Sequence, residues 1–401
     1  MTMKIHEETL DKKKIKLIGF ISFFMGFAQA VTAYILSSYF KEALGTENVG
    51  IFYSLAYVVV FIILLNFHKI IKRFGKSNAF FFTLIIKLVT LAFLATMQPS
   101  WWSIGLLVAY IITAQINWVV LDIILESFSV DNRSGRIRGV HWMIIDAGFL
   151  LGPILSTQIL ERYNFQIVFL ISLIIECLVI FLAVEGFKRI NHKFEGRVTI
   201  KELINKVIKK KNILRIYYIS FILEFFYAIM VIYVPFYLRD LGISWEQIGY
   251  IFTVMLIPFV IFPIPVGYLA DKYLGEKEML IGSIILMGIS TLLVYFTVTL
   301  SIYAWAGILF MTRIGASIIQ TLRDSYFYKR IDGRDVDIID FYRTSIPAAY
   351  ILASMISALI LLFFPLKMMF FVLALVIFSS LYPAFQIIDN KGEKESLVES
   401  K

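Results

Sequence analysis

The chain has 401 residues, is 59% hydrophobic and only 17% charged, and has a mean hydropathy of +0.81. A soluble domain of this length needs far more polar surface, so the balance excludes an ordinary globular domain and points to a membrane protein. The net charge of +9 would suit nucleic acid, but the basic residues lie between apolar runs, so the expected partner is the anionic surface of a bilayer, with no nucleic acid.

The segment Met1 to Lys16 is polar and basic, and a long apolar run follows it. No small-residue cleavage site follows Ser37-Ser38, so the run is expected to be a retained first helix and not a signal peptide. Apolar stretches close to bilayer length then recur at about 17–40, 49–67, 78–97, 101–125, 139–160, 165–186, 215–238, 247–270, 279–298, 301–322, 344–364 and 366–388. Gln98-Pro99-Ser100 separates helices 3 and 4, Thr299-Leu300-Ser301 separates 9 and 10, and Pro365 separates 11 and 12. With only 9 Pro and 22 Gly, the composition argues against a β-rich alternative. The expected fold is therefore an all-α integral membrane protein with twelve transmembrane helices.

Of the 38 Lys and Arg, 32 fall in the tails and the even-to-odd loops, while Lys41, Arg162, Arg239 and Lys367 lie on the other side. Lys87 and Arg313 lie within helices. The asymmetry predicts both termini on the cytoplasmic side of the plasma (inner) membrane.

The longest connection, 187–214, divides the chain into a six-helix bundle at 1–186 and a second at 215–401. Within it Ile200, Leu203, Ile204, Val207 and Ile208 share one helical face, and Lys201, Lys206, Lys209, Lys210 and Lys211 occupy others. Thr199 and Glu202 form a capping box. This spacing predicts an amphipathic helix, lying on the membrane surface or serving as a solvated connector.

The two bundles repeat one another. Tyr39–Gly50 resembles Tyr237–Gly249, Phe74–Lys76 resembles Leu274–Lys277, and Asp131–Arg133 resembles Asp332–Arg334, at offsets between 197 and 201. One register in three loops implies two parallel halves. Such halves hold a substrate site between them near the bilayer midplane.

The segment GYLADKYLGEK, Gly267 to Lys277, resembles the loop signature of the major facilitator superfamily. Gly267, Leu269, Ala270, Asp271, Lys272, Gly275 and Lys277 fit it, with Leu274 one place off the usual spacing. The first-half counterpart, FHKIIKRFGK, keeps Gly75 and Lys76 but lacks the leading Gly and the Asp, inverting the family's usual order. Arg313-Ile-Gly315 and Gly148-x-x-x-Gly152-Pro153 resemble two weaker motifs, the latter an antiporter signature without its trailing glycines. The resemblance implies transport by alternating access, by a monomer. It also implies that Gly267 lets helices 8 and 11 approach, with Asp271, Lys272, Gly275 and Arg343 forming an inner gate.

Ionisable residues within hydrocarbon are costly and face a cavity or a partner. Glu224 and Arg313 both fall near the expected midplane, on helices that line the cavity in the superfamily, and are expected to pair or to contact substrate and proton. Lys87 and Glu176 are expected to pair on the outside of the first bundle. Asp122, Glu126 and Asp146, with Arg133, Arg136 and Arg138 between them, read either as an inner-gate network or as loop solvation. Gln29, Thr32, Tyr34, Gln115, Asn117, Tyr227 and Tyr233 are candidate cavity residues. Gly148, Gly152 and Pro153 read first as helix packing, with Ala349 and Ala353 as repeat mates.

No metal or cofactor is expected: His6, His68, His141 and His192 lack ligand spacing, and Cys177 is the lone cysteine. There is no G-x-x-x-x-G-K-[ST] loop, H-E-x-x-H or G-x-S-x-G. The expectation is proton-coupled movement of a small molecule, leaning to efflux of an apolar or amphipathic compound, with nutrient or sugar uptake as the alternative. An intramembrane lipid-modifying enzyme would need a clustered nucleophile, base or metal site, and a transporter-like sensor an attached signalling domain.

Overall fold

The computed structural model of the protein describes residues 12–126, 128, 134–187, 207–331 and 336–388. Most of the amphipathic helix expected in the long connection, up to residue 206, and Asp131–Arg133 lie outside the described residues. So do the side chains of Glu126, Arg136 and Asp271.

Among the described residues, eleven helices are long and apolar enough to cross a membrane, and a shorter apolar helix lies at Gly50–Leu65. In chain order they are α1 (Lys13–Leu44), α2 (Gly50–Leu65), α3 (Lys76–Leu94), α4 (Trp101–Leu125), α5 (Val140–Arg162) and α6 (Phe165–Gly186). The remainder are α7 (Lys211–Asp240), α8 (Trp245–Leu274), α9 (Glu276–Phe296), α10 (Ile302–Lys329), α11 (Phe341–Phe363) and α12 (Met368–Gln386). A helix satisfies its own backbone hydrogen bonds, so long uniformly apolar segments are stable in lipid in this form.

The breaks have local causes. Ser244 and Gln247 form a capping box that starts α8, and Ser301 caps α10 by accepting from the Ala304 amide. Pro263 interrupts α8 near Phe262, and the helix ends in a widened turn at Ala270–Leu274. The repeat is written into the backbone: among the described residues, the four positive-φ glycines fall into two pairs. Gly45 (φ 69°) matches Gly242 (φ 91°), and Gly75 (φ 82°) matches Gly275 (φ 73°). An L side chain is strained there, which explains why glycine recurs at these places.

Helix α1 packs on α5 and α6, α7 on α11, and α9 on α10 and α12. The first and last six helices meet mainly through α2 with α11 and α5 with α8. Gly148 and Gly152 set the α1–α5 distance, since a Cβ on them would lie 2.3 Å from the Phe23 carbonyl oxygen and 2.3 Å from Ala30 Cβ. Gly50 and Gly249, mates in the repeat, permit the two crossings between halves of the chain. A Cβ would stand 2.5 Å from the Ser354 carbonyl oxygen at Gly50 and 2.0 Å from Thr157 Oγ1 at Gly249. A Cβ added at Gly267, by contrast, would meet nothing within 4 Å. The expectation that Gly267 serves close helix approach is therefore corrected; the crowded glycines at the crossings between halves are Gly50 and Gly249, at the opposite ends of the helices.

Candidate functional site: a central cavity between the two sets of helices

One end of the bundle carries the lysine- and arginine-rich loops and is called the basic end here. The other end is closed by contacts between the first and last six helices. Lys41 Nζ lies 3.2 Å from Asp240 Oδ1, Asn48 donates to the Ala358 carbonyl at 3.3 Å, and the Trp245 amide donates to Glu161 at 2.8 Å. Gly50 and Gly249 lie in this seal.

Beneath it is a chamber of about 230 Å³ lined from α1, α2, α4, α5, α7, α8, α10 and α11. A second chamber of about 280 Å³ continues toward the basic end and shares Gln29, Tyr57, Gln115, Trp142, Tyr227 and Tyr350 with the first. At its far end Arg343 Nη2 meets Asp122 Oδ2 at 2.6 Å, bridging α11 and α4.

The walls are aromatic. Tyr57 of α2 stacks on Tyr350 of α11 with centroids 4.2 Å apart, so the two halves of the chain meet ring to ring. The Tyr57 hydroxyl accepts from Gln115 at 3.1 Å, the Tyr227 hydroxyl donates to Gln320 at 2.9 Å, and Trp118 donates to Gln29.

The charges are arranged differently from the sequence expectation. Glu224 pairs with Arg323, at 2.8 Å, and not with Arg313. Arg323 also donates to Ser220 Oγ at 2.9 Å. Helix α10 runs on to Lys329, beyond its apolar stretch, and carries Arg323 inside the bundle at 6% exposure. Ten residues of helix, about 15 Å of rise, separate Arg323 from Arg313, so Glu224 reaches only the nearer one. Arg313 is 2% exposed and lies over the rings of Phe226 and Tyr227, at 4.8 and 5.9 Å. It forms no ion pair among the described residues.

Asp146, expected with the inner gate, lines the first chamber beside Gln29, Arg313 and Gln320. A position two turns into α5 has already left the basic end. Asn117, expected in the cavity, faces away from it: it is fully buried and accepts from Thr83 of α3. Thr32 is likewise buried, with its hydroxyl 2.7 Å from that of Tyr110. Tyr233 is buried in the seal beside Gly50 and not in the cavity. Gln29, Gln115, Tyr34, Tyr227, Glu224 and Arg313 do line the chambers.

At the basic end Lys272 lies 4.7 Å over the ring of Tyr268 and forms no ion pair among the described residues. Gly275 is the positive-φ cap of α9. The ion pair here joins buried Glu276 to half-exposed Lys329, at 2.6 Å, and the loop signature did not reveal it. Away from the cavity, Lys87 and Glu176 pair, both fully buried. Arg323, Gln320, Tyr57, Tyr350 and Trp142 were also missed; tyrosines at helical spacing on α2 and α11 were the available signal.

A helical bundle sealed at one end, with a polar and aromatic cavity between its two sets of helices, defines a membrane transport protein. The family model of the Major Facilitator Superfamily matches residues 18–336 and 226–398, and the chain belongs to that superfamily. The fold is similar to a crystal structure of the nucleoside transporter NupG, with a TM-score of 0.72 and 12% identity, covering 94% of this chain and 100% of that one. No curated protein matches the chain by sequence.

Proposed function

We propose that the chain is a proton-coupled secondary active transporter that moves a small solute across the plasma membrane by alternating access. In this reading Gly50–Leu65 is a twelfth span, and the termini and basic loops face the cytoplasm, where they meet anionic headgroups. The bundles 1–186 and 215–401 rock about the connection 187–214, and a monomer suffices.

The observation that carries the proposal is the cavity, sealed at one end, with the Glu224–Arg323 pair in its wall. A proton and Arg323 compete for the Glu224 carboxylate. Protonation breaks the pair and deprotonation restores it, so proton occupancy biases a two-state element. The aromatic lining supports export of an amphipathic compound. Uptake of a nutrient is the second reading, and the likeness to a nucleoside transporter supports it.

The test is purified protein in proteoliposomes with an internal pH-sensitive dye, challenged with lipophilic cations, sugars and peptides. Substrate-dependent proton movement that disappears in Glu224→Gln is the expected result. Proton movement unchanged in that variant removes Glu224 as carrier. Solute movement without protons removes the coupling.

A further inference from the structure

Two groups in the first chamber are left with unused bonding capacity. Arg313 Nη1 and Asp146 Oδ2 are buried and have no hydrogen-bond partner. Among the described residues, no other side chain lining that chamber has such an atom. Other buried charged groups are matched by a counter-charge: Lys87, Glu176, Glu224, Arg323 and Glu276 sit in ion pairs. Arg313 and Asp146 share one chamber, yet no ion pair joins them among the described residues.

Buried unpaired charge is expensive, and it persists where something else supplies the partner. The guanidinium is a planar fork suited to a carboxylate. The Asp146 oxygen accepts from an ammonium or another donor. Arg313 comes from α10 and Asp146 from α5, so a single solute that satisfies both would tie the last six helices to the first six. The same chamber presents aromatic faces: Tyr34 and Tyr227 line it with Phe149 and Phe259, and Tyr227 packs against Phe259 at 6.1 Å. These faces favour a flat or apolar body.

We infer that the transported solute is bipolar, with an anionic group held by Arg313, a cationic amine held by Asp146 and an apolar, preferably aromatic, body between them. This inference rests on the transport reading above and narrows its substrate class. It also gives the solute a mechanical part, because only a molecule with both charges bridges the two sets of helices.

The experiment keeps one body and varies its charge. Tryptophan, N-acetyltryptophan, tryptophanamide and N-acetyltryptophanamide present the zwitterion, the anion, the cation and the neutral form; tyrosine and leucine series are run beside them. Binding to purified full-length protein is measured by thermal shift and by titration calorimetry. The expected result is that one zwitterion binds at least about tenfold tighter than each of its three relatives, the loss of one charged contact being worth about that much. Asp146→Asn is expected to weaken the zwitterion by about tenfold while leaving the anion within about threefold, and Arg313→Gln to do the reverse with the cation. A monodisperse elution profile separates these effects from misfolding, and the opposite preferences of the two variants are a readout that general destabilisation does not produce. Equal binding of all four forms in every series overturns the inference. The dye-loaded proteoliposomes separate the two readings: solutes that cross with no zwitterion preference leave transport standing and remove the bipolar substrate. Zwitterions that bind selectively but never cross keep the site and remove transport.

Discussion

Replacing Gly50 by alanine tests the seal opposite the basic end. The added methyl would stand 2.5 Å from the Ser354 carbonyl oxygen and 2.9 Å from the Tyr233 hydroxyl. The first obstacle is backbone and cannot swing aside, so the crossing of α2 and α11 must widen. Overpacking of this kind costs about 1–3 kcal/mol, borne by the sealed state and relieved once the helices part. A bias of that size shifts a two-state equilibrium by roughly 5- to 150-fold. The reporter is Ser357→Cys, fully buried one turn beyond Ser354, in a background where the exposed Cys177 is replaced by serine. In the proposed orientation, labelling by a membrane-impermeant maleimide added from outside is expected to quicken within that range in Gly50→Ala. Gly105→Ala is the control, since nothing lies within 4 Å of its added methyl, and it is expected to label at the parent rate. Labelling that is unchanged or slower in Gly50→Ala would refute the assignment of this crossing as the seal.

Gly249→Ala is expected to act in the same direction through α5 and α8; its main obstacle is Thr157 Oγ1 at 2.0 Å, so adding Thr157→Ala should return labelling toward the parent rate. Lys87→Met or Glu176→Gln alone is expected to lower stability by about 3–5 kcal/mol, because each leaves the other group buried without its partner, while the double replacement stays within about 1 kcal/mol of the parent. A reversible denaturation series on the four proteins measures this, and additive losses would count against it. Arg343→Gln removes a pair whose side chains are 14% and 30% exposed, worth only about 0–1 kcal/mol; transport rates in proteoliposomes are expected to change less than about fivefold, and abolished transport would contradict that.

Hydropathy alone located the apolar helices, because the bilayer selects apolar length and little else. The stretch expected at 139–160 is Val140–Arg162, and that at 165–186 is Phe165–Gly186. The same method misses how far a helix runs past the hydrocarbon. The apolar run of α10 stops near Leu322, so Arg323 reads as loop, although the helix continues to Lys329 and holds that arginine opposite Glu224. Facing was harder still. A helix apolar on every side has no polar stripe to orient it, so nothing in the local pattern separates Gln115, which lines the cavity, from Asn117, which turns to Thr83. Tyrosines gave the weakest signal, since the same residue serves the interface, the core and the cavity. Charge fared better: Lys87 and Glu176 met because a buried charge in lipid has few alternatives to a partner.

That last pair also bears on how the chain is made. Lys87 and Glu176 are separated by 89 positions, and synthesis at about 5–20 residues per second puts roughly 4–18 s between their appearances. For that interval α3 has to enter the bilayer with a lone ammonium, at a penalty of about 2.5–3.5 kcal/mol near the centre of a span. Its remaining side chains, mostly apolar from Ala79 to Leu94, are what carry it in. The newborn first bundle is thus expected to wait, half assembled, for its sixth helix. A glycosylation-mapping assay on chains truncated before and after α6 would read this delay as a rise in the fraction of α3 that spans the membrane.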